Sequence, residues 1–85
     1  MNAEQKQELR ELVRQHLAER PRIGLRASDV QMRIRRQIEC TTPEVEDALA
    51  LLVSLGQAQA FNAQLGATKY YQITAAGILA YERGE

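Results

Sequence analysis

Apolar residues recur at helical spacing over most of this chain and at strand spacing in one short region. The clearest helical stretch is Thr41–Gly56, TTPEVEDALALLVSLG, where Val45, Ala48, Leu49, Leu52 and Leu55 share one face. It carries its own start and stop. Thr41 and Thr42 are both suited to accept a hydrogen bond from an unpaired N–H of the first turn. Pro43 fits there because its missing N–H costs nothing. Glu44, Glu46 and Asp47 lie at the positive end of the helix dipole. Gly56 is placed to end the helix in a left-handed conformation.

Residues 3–20 predict a first helix, with Leu9, Leu12, Val13 and Leu17 as its apolar stripe. Glu4–Glu8 and Lys6–Arg10 are like-charge pairs at i, i+4, so burial of the stripe must hold this helix. Pro21 stops it. Residues 22–27, RIGLRA, alternate through Ile23 and Leu25 and predict a brief edge strand. A second helix is expected over Ser28–Ile38, capped by Ser28, with Val30, Ile34 and Ile38 as its buried line. A tight connection through Glu39 and Cys40 then leads into the central helix, at helix-turn-helix spacing.

After Gly56 the period changes. QAQAFN (57–62) and TKYYQI (68–73) flank a short glycine-containing loop at 63–67 and predict a β-hairpin with Tyr71 and Ile73 on one side. Thr74 is the expected cap of a last short helix, AAGILAYER, with Ile78, Leu79 and Tyr81 as its apolar members. Gly77 inside that helix costs about 1 kcal/mol relative to alanine, so its expected value is close approach to a neighbouring backbone.

Eighty-five residues predict one domain, spanning 1–85. No run approaches the roughly 18–20 apolar residues of a membrane span, and the polar start MNAEQKQE is unlike a signal peptide. We therefore expect a soluble, cytoplasmic protein without a membrane role. The lone Cys40 reads as a small filler of the turn. His16, near the edge of the first stripe, has no second ligand at metal spacing and reads as structural. One His, one Cys and no glycine-rich phosphate loop predict no enzyme, no catalytic residues, no metal and no cofactor.

Charge changes the picture more than composition does. The formal net charge is zero. Yet residues 20–36 hold six arginines against Asp29, whereas residues 37–68 hold four acidic groups and no Lys or Arg, so +5 faces −4. Any function must account for that polarity.

The order helix, short strand, helix, tight turn, helix, hairpin, helix resembles the winged helix-turn-helix family. The resemblance is carried by TTPEVEDALALLVSLGQAQAF followed by YYQITAAG, and it covers roughly residues 5–83. It implies an α+β fold of three helices, a two- or three-stranded hairpin wing and a short C-terminal helix. It also implies double-stranded DNA as partner, with the third helix in the major groove and the wing on the backbone. By resemblance, Thr41, Thr42, Glu44, Asp47 and Ala50 are the exposed positions of the third helix, Gln64 to Lys69 form the wing tip, and Arg26 and Ser28 flank phosphates.

The sequence departs from a strong DNA binder. Glu44, Glu46 and Asp47 would press against phosphates, and the third helix lacks the arginine that reads guanine bidentately. The basic cluster offers a variant geometry, with Arg22, Arg26, Arg33 and Arg36 supplying phosphate contacts. The leading expectation is a small DNA-binding transcriptional regulator with weak, salt-sensitive affinity. The alternative is a protein-interaction module, a homodimer or a docking site for another protein. It is favoured if Leu51 or Val53, which fall off the main apolar stripe, prove exposed.

Overall fold

A computed structural model describes residues 1–62 and 66–84. The elements are α1 (Ala3–Ala18), α2 (Ala27–Ile34), α3 (Thr42–Ser54), β1 (Ala58–Asn62), β2 (Lys69–Ile73) and α4 (Ala75–Arg83). The strands form a two-stranded antiparallel ribbon in which Ala58 faces Ile73 and Asn62 faces Lys69. Leu25 forms an isolated antiparallel bridge to Tyr71, each N–H donating to the other's carbonyl at 2.8 Å. The edge strand expected at 22–27 is thus a single pairing, which leaves Ile23 exposed.

α3 lies at the centre. Val45, Ala48, Leu49 and Leu52 are buried, and α3 packs on α1, α2 and β1. The Thr41 hydroxyl accepts from the Glu44 N–H at 3.3 Å, while the Glu44 carboxylate accepts from the Thr41 N–H at 2.9 Å. This reciprocal capping box satisfies two donors at once. Gly56 has φ +74°, the left-handed exit expected of it. The helix ends one residue short of its apolar pattern, however. Leu55 is already the C-cap and points to solvent rather than joining the inner face.

Two further boundaries differ from the sequence pattern. α1 ends at Ala18, ahead of Pro21. α2 starts at Ala27 and ends at Ile34, shorter at its far end than expected, so Ile38 lies beyond it and is only half-buried. Ser28 is not the cap of α2. Asp29 accepts from the Arg26 N–H at 3.3 Å and from its guanidinium at 3.0 and 3.1 Å, making Arg26 the N-cap. The Asp29 carboxylate satisfies the Arg26 N–H without any side chain capping the first turn in return, which leaves Ser28 an exposed first-turn residue.

The remaining core comes from Leu9, Val13 and Leu17 of α1, Val30 and Ile34 of α2, and Tyr71 and Ile73 of β2. Thr74 caps α4 by accepting from the Gly77 N–H. In α4 it is Gly77 and Ala80 that face inward, while Leu79 and Tyr81 are exposed and Ile78 is half-buried. A Cβ on Gly77 would collide with the Gln57 carbonyl, the close backbone approach that a glycine in this helix implied. Large side chains therefore have to point away at this seam.

Candidate nucleic-acid interface

Packing of α1 against α2 assembles a groove that neither helix contains alone. Arg20, just past the end of α1, and Arg33, Arg35 and Arg36, at and beyond the end of α2, line it together with His16, Met32 and Asp29. Arg33, Arg35 and Arg36 are exposed and Arg20 is half-buried. Four arginines thus line one open channel. Each is permanently charged and carries several donors suited to phosphate oxygens.

His16 forms the buried wall of this groove. Its Nδ1 lies 3.3 Å from the Arg20 guanidinium. Arginine only donates, so Nδ1 must accept, and the ring proton belongs on Nε2. Burial lowers the His16 pKa from 6.5, and Arg20 and Arg33 lower it further against the opposing pull of Glu19. The imidazole is therefore neutral near pH 7 and supports Arg20 as an acceptor. Asp29 is committed to Arg26, whose guanidinium holds the Asp29 carboxyl below its usual range.

The acidic surface lies on the other side of α2. Gln31 is about 160° around the helix from both Asp29 and Arg33 at the usual 3.6 residues per turn. Gln31 donates to the Cys40 carbonyl at 3.0 Å, which ties that flank to the start of α3. Asp29 and Arg33 thus lie across α2 from the flank that Gln31 ties to the start of α3. On α3 the side chains of Glu46, Asp47, Ala50 and Ser54 are exposed, opposite the buried face. Glu44 is held in the capping box, where Thr41 keeps its carboxyl below the usual range.

The residues singled out from sequence scatter accordingly. Arg33 and Arg36 come together, joined by Arg20, Arg35 and His16. Arg26 is paired with Asp29, and Arg22 is exposed on the loop leading to α2. The Thr41 hydroxyl is engaged by Glu44, and Thr42 is half-buried. Lys69 is exposed at the start of β2, opposite Asn62. Gln64 lies outside the described residues. Arg20 had one local signal in the sequence, its position four residues after His16 on the same helical row. Cys40 is buried in the turn, and burial pushes its thiol pKa up. Among the described residues, no group of three or more His, Cys, Asp or Glu is placed to hold a metal ion, and no helix is long and apolar enough to cross a membrane.

The fold is a winged helix-turn-helix, in which β1 and β2 form the wing and α2 and α3 the helix-turn-helix pair. No family model and no curated protein matches the chain. Solved structures do. A structure of the DNA recognition and protein interaction domains of HOP2 superposes with a TM-score of 0.67 at 21% identity, covering 78% of this chain and 98% of that one. SSV1 F-93 gives 0.68 at 16% identity over 88% and 79% of the two chains. A mutant of MepR from a multidrug-resistant S. aureus clinical isolate gives 0.63 at 23% identity. That match covers 98% of this chain and 54% of MepR. At these identities the likeness concerns the fold.

Proposed function

We propose that this chain is a DNA-binding regulatory domain that holds the phosphate backbone in its α1–α2 arginine groove, with α3 turned away. The observation that carries this reading is that Arg20, Arg33, Arg35 and Arg36 line one open channel in a protein of zero net charge. Phosphate charge dominates DNA affinity. Glu46 and Asp47 on the exposed face of α3 oppose major-groove entry, whereas the groove on the far flank of α2 attracts the backbone. The DNA recognition named for the HOP2 fragment lends support by analogy of fold alone. Transcriptional regulation is the role that best suits such a domain, with weak and non-specific affinity because base-reading arginines are missing from α3. Arg22 and Lys69 serve as outlying phosphate contacts.

The test is fluorescence anisotropy with a mixed duplex DNA pool. The four groove arginines with the outlying Arg22 and Lys69 neutralise up to about six phosphates, a log–log salt slope of about −5 at most, and Arg33→Ala/Arg36→Ala should flatten it by about 2 units. Absence of binding at about 20 mM salt, where electrostatic affinity is strongest, refutes the DNA reading. Binding that ignores the double substitution refutes the groove.

One observation favours a protein-docking role as well. Leu51 is exposed, while Val53 is half-buried against the core.

A further inference from the structure

Leu51 is not an isolated exposed residue. It lies where two depressions between α1 and α3 meet, so that they form one trough. The first is lined by Lys6, Leu9 and Arg10 from α1 and by Glu44, Asp47 and Leu51 from α3. The second continues from Arg10 and Leu51 to Leu52 and Leu55. Leu9, Ala48, Leu51, Leu52 and Leu55 make the apolar part of the lining, with Leu51 and Leu55 37% and 57% exposed, while Gln7, Arg14 and Gln57 make the Leu55 end more polar. The two rims are opposite in sign. Lys6 and Arg10 stand on the α1 side, Glu44 and Asp47 on the α3 side. Glu11 stands at the Leu55 end, where α3 presents no charge.

We propose that this trough is a homodimer interface, occupied by the same trough of a second copy. The arrangement of charge carries the choice of partner. A two-fold axis running along the trough turns each copy over, so the α1 rim of one copy faces the α3 rim of the other. Arg10 then meets the partner's Asp47, and Lys6 the partner's Glu44, twice each. Leu51 packs against the partner's Leu51 on the axis. A two-fold axis across the trough would instead set each rim against itself, so only the axis along it brings Lys6 and Arg10 against the opposite charges of Glu44 and Asp47. The same geometry accounts for the acids on α3, which complement a protein rim instead of repelling DNA.

The size of the face sets the strength. Thirteen residues of α3 run about 20 Å, and two adjacent helices are about 20 Å wide, giving a footprint of roughly 400 Å². A standard stable complex buries about 800 Å² per partner, so this dimer is weak and concentration-dependent. It lies on a different face from the arginine groove, so the two readings stand or fall separately.

Sedimentation equilibrium of the native chain at several concentrations tests the proposal. The mass should rise from 9.6 kDa toward twice that value as concentration increases from about 5 to 500 μM. Leu51→Glu should abolish the rise by burying an unpaired charge on the axis. Arg10→Glu and Asp47→Arg should each weaken association about tenfold or more, and the double variant should restore it. Circular dichroism of the dilute monomers checks that each variant folds; Asp47 is exposed and Arg10 half-buried, so the charge swaps leave the core intact. A chain that stays at 9.6 kDa throughout overturns the proposal and leaves the trough to a different protein. Association that survives Leu51→Glu, or that the double swap does not restore, overturns it too.

Discussion

Replacing Gly77 with alanine sets a gain in helix propensity against a backbone collision. The added Cβ would meet the Gln57 carbonyl and lie 2.6 Å from Cγ1 of Ile73. Gln57 has no room to retreat. Its N–H donates to the Leu52 carbonyl at 2.9 Å, its carbonyl accepts from the Thr74 N–H at 3.1 Å, and its side chain accepts from Arg14 at 3.0 Å. Alanine gains at most about 1 kcal/mol of helix propensity. Overpacking costs about 1–3 kcal/mol, and displacing the Thr74–Gln57 hydrogen bond costs about 1 kcal/mol more. The net is a loss of about 1–3 kcal/mol. In a domain of this size that lowers Tm by roughly 4–8 °C per kcal/mol. Thermal and urea unfolding followed by circular dichroism measure it. Gly56→Ala is the useful comparison, since its Cβ would meet nothing within 4 Å and its cost comes from φ +74° alone. A Gly77→Ala protein as stable as the native one, or more so, refutes the claim that α4 needs a bare backbone at this point.

Three other outcomes follow from features described above. Thr41→Ala removes the cap of the central helix and should cost about 1 kcal/mol by urea unfolding, whereas Thr42→Ala should change stability much less. His16 has a folded pKa below its unfolded value of 6.5, so the unfolded chain binds more protons below that pH. Its contribution is intact above pH 6.5 and is lost as the pH falls through the folded value; His16→Gln should flatten that part of the stability profile, read as urea midpoints across the range. Asp29→Asn removes a negative charge from the arginine groove and should tighten low-salt DNA binding about two- to tenfold, while Asp47→Asn on the far flank should do less; equal effects in the anisotropy titration would argue against separated surfaces.

Local chemistry made much of the fold legible. Thr41, Gly56, Thr74 and Gly77 each announce a cap, an exit or a close approach within a few residues of themselves, and each is found in that role. Leu9, Val13 and Leu17, like Val45, Ala48, Leu49 and Leu52, are buried where helical periodicity puts them. Periodicity failed where a helix stopped before its apolar pattern did. Leu55 and Ile38 kept the spacing but lay beyond the last regular turn. Ser28 misled because Asp29 bonds back to Arg26 and moves the cap two residues earlier. In α4, the seam with Gln57 selected the smallest residues for the inner face, the reverse of what size alone suggests. The candidate groove was the least legible feature. Arg20 and His16 come from one helix region and Arg33, Arg35 and Arg36 from another, and only tertiary packing brings them together. The asymmetry of charge along the chain did show that some such separation had to exist.

The two ends of the wing are joined where it leaves and re-enters the body. There the Thr74 hydroxyl donates to the Gly56 carbonyl at 2.6 Å and its N–H to the Gln57 carbonyl. Everything from Ala58 to Ile73 is thus an excursion whose two ends are already joined. Joined ends make the excursion's length nearly independent of the body's stability, because doubling a flexible loop adds only about 0.6 kcal/mol of closure entropy. Residues inserted between the two strands would change what the wing reaches without disturbing what holds it. In evolutionary terms the tip is free to vary, and the staple at Thr74 and Gly56, with the buried Ala58, Tyr71 and Ile73, is what must be kept.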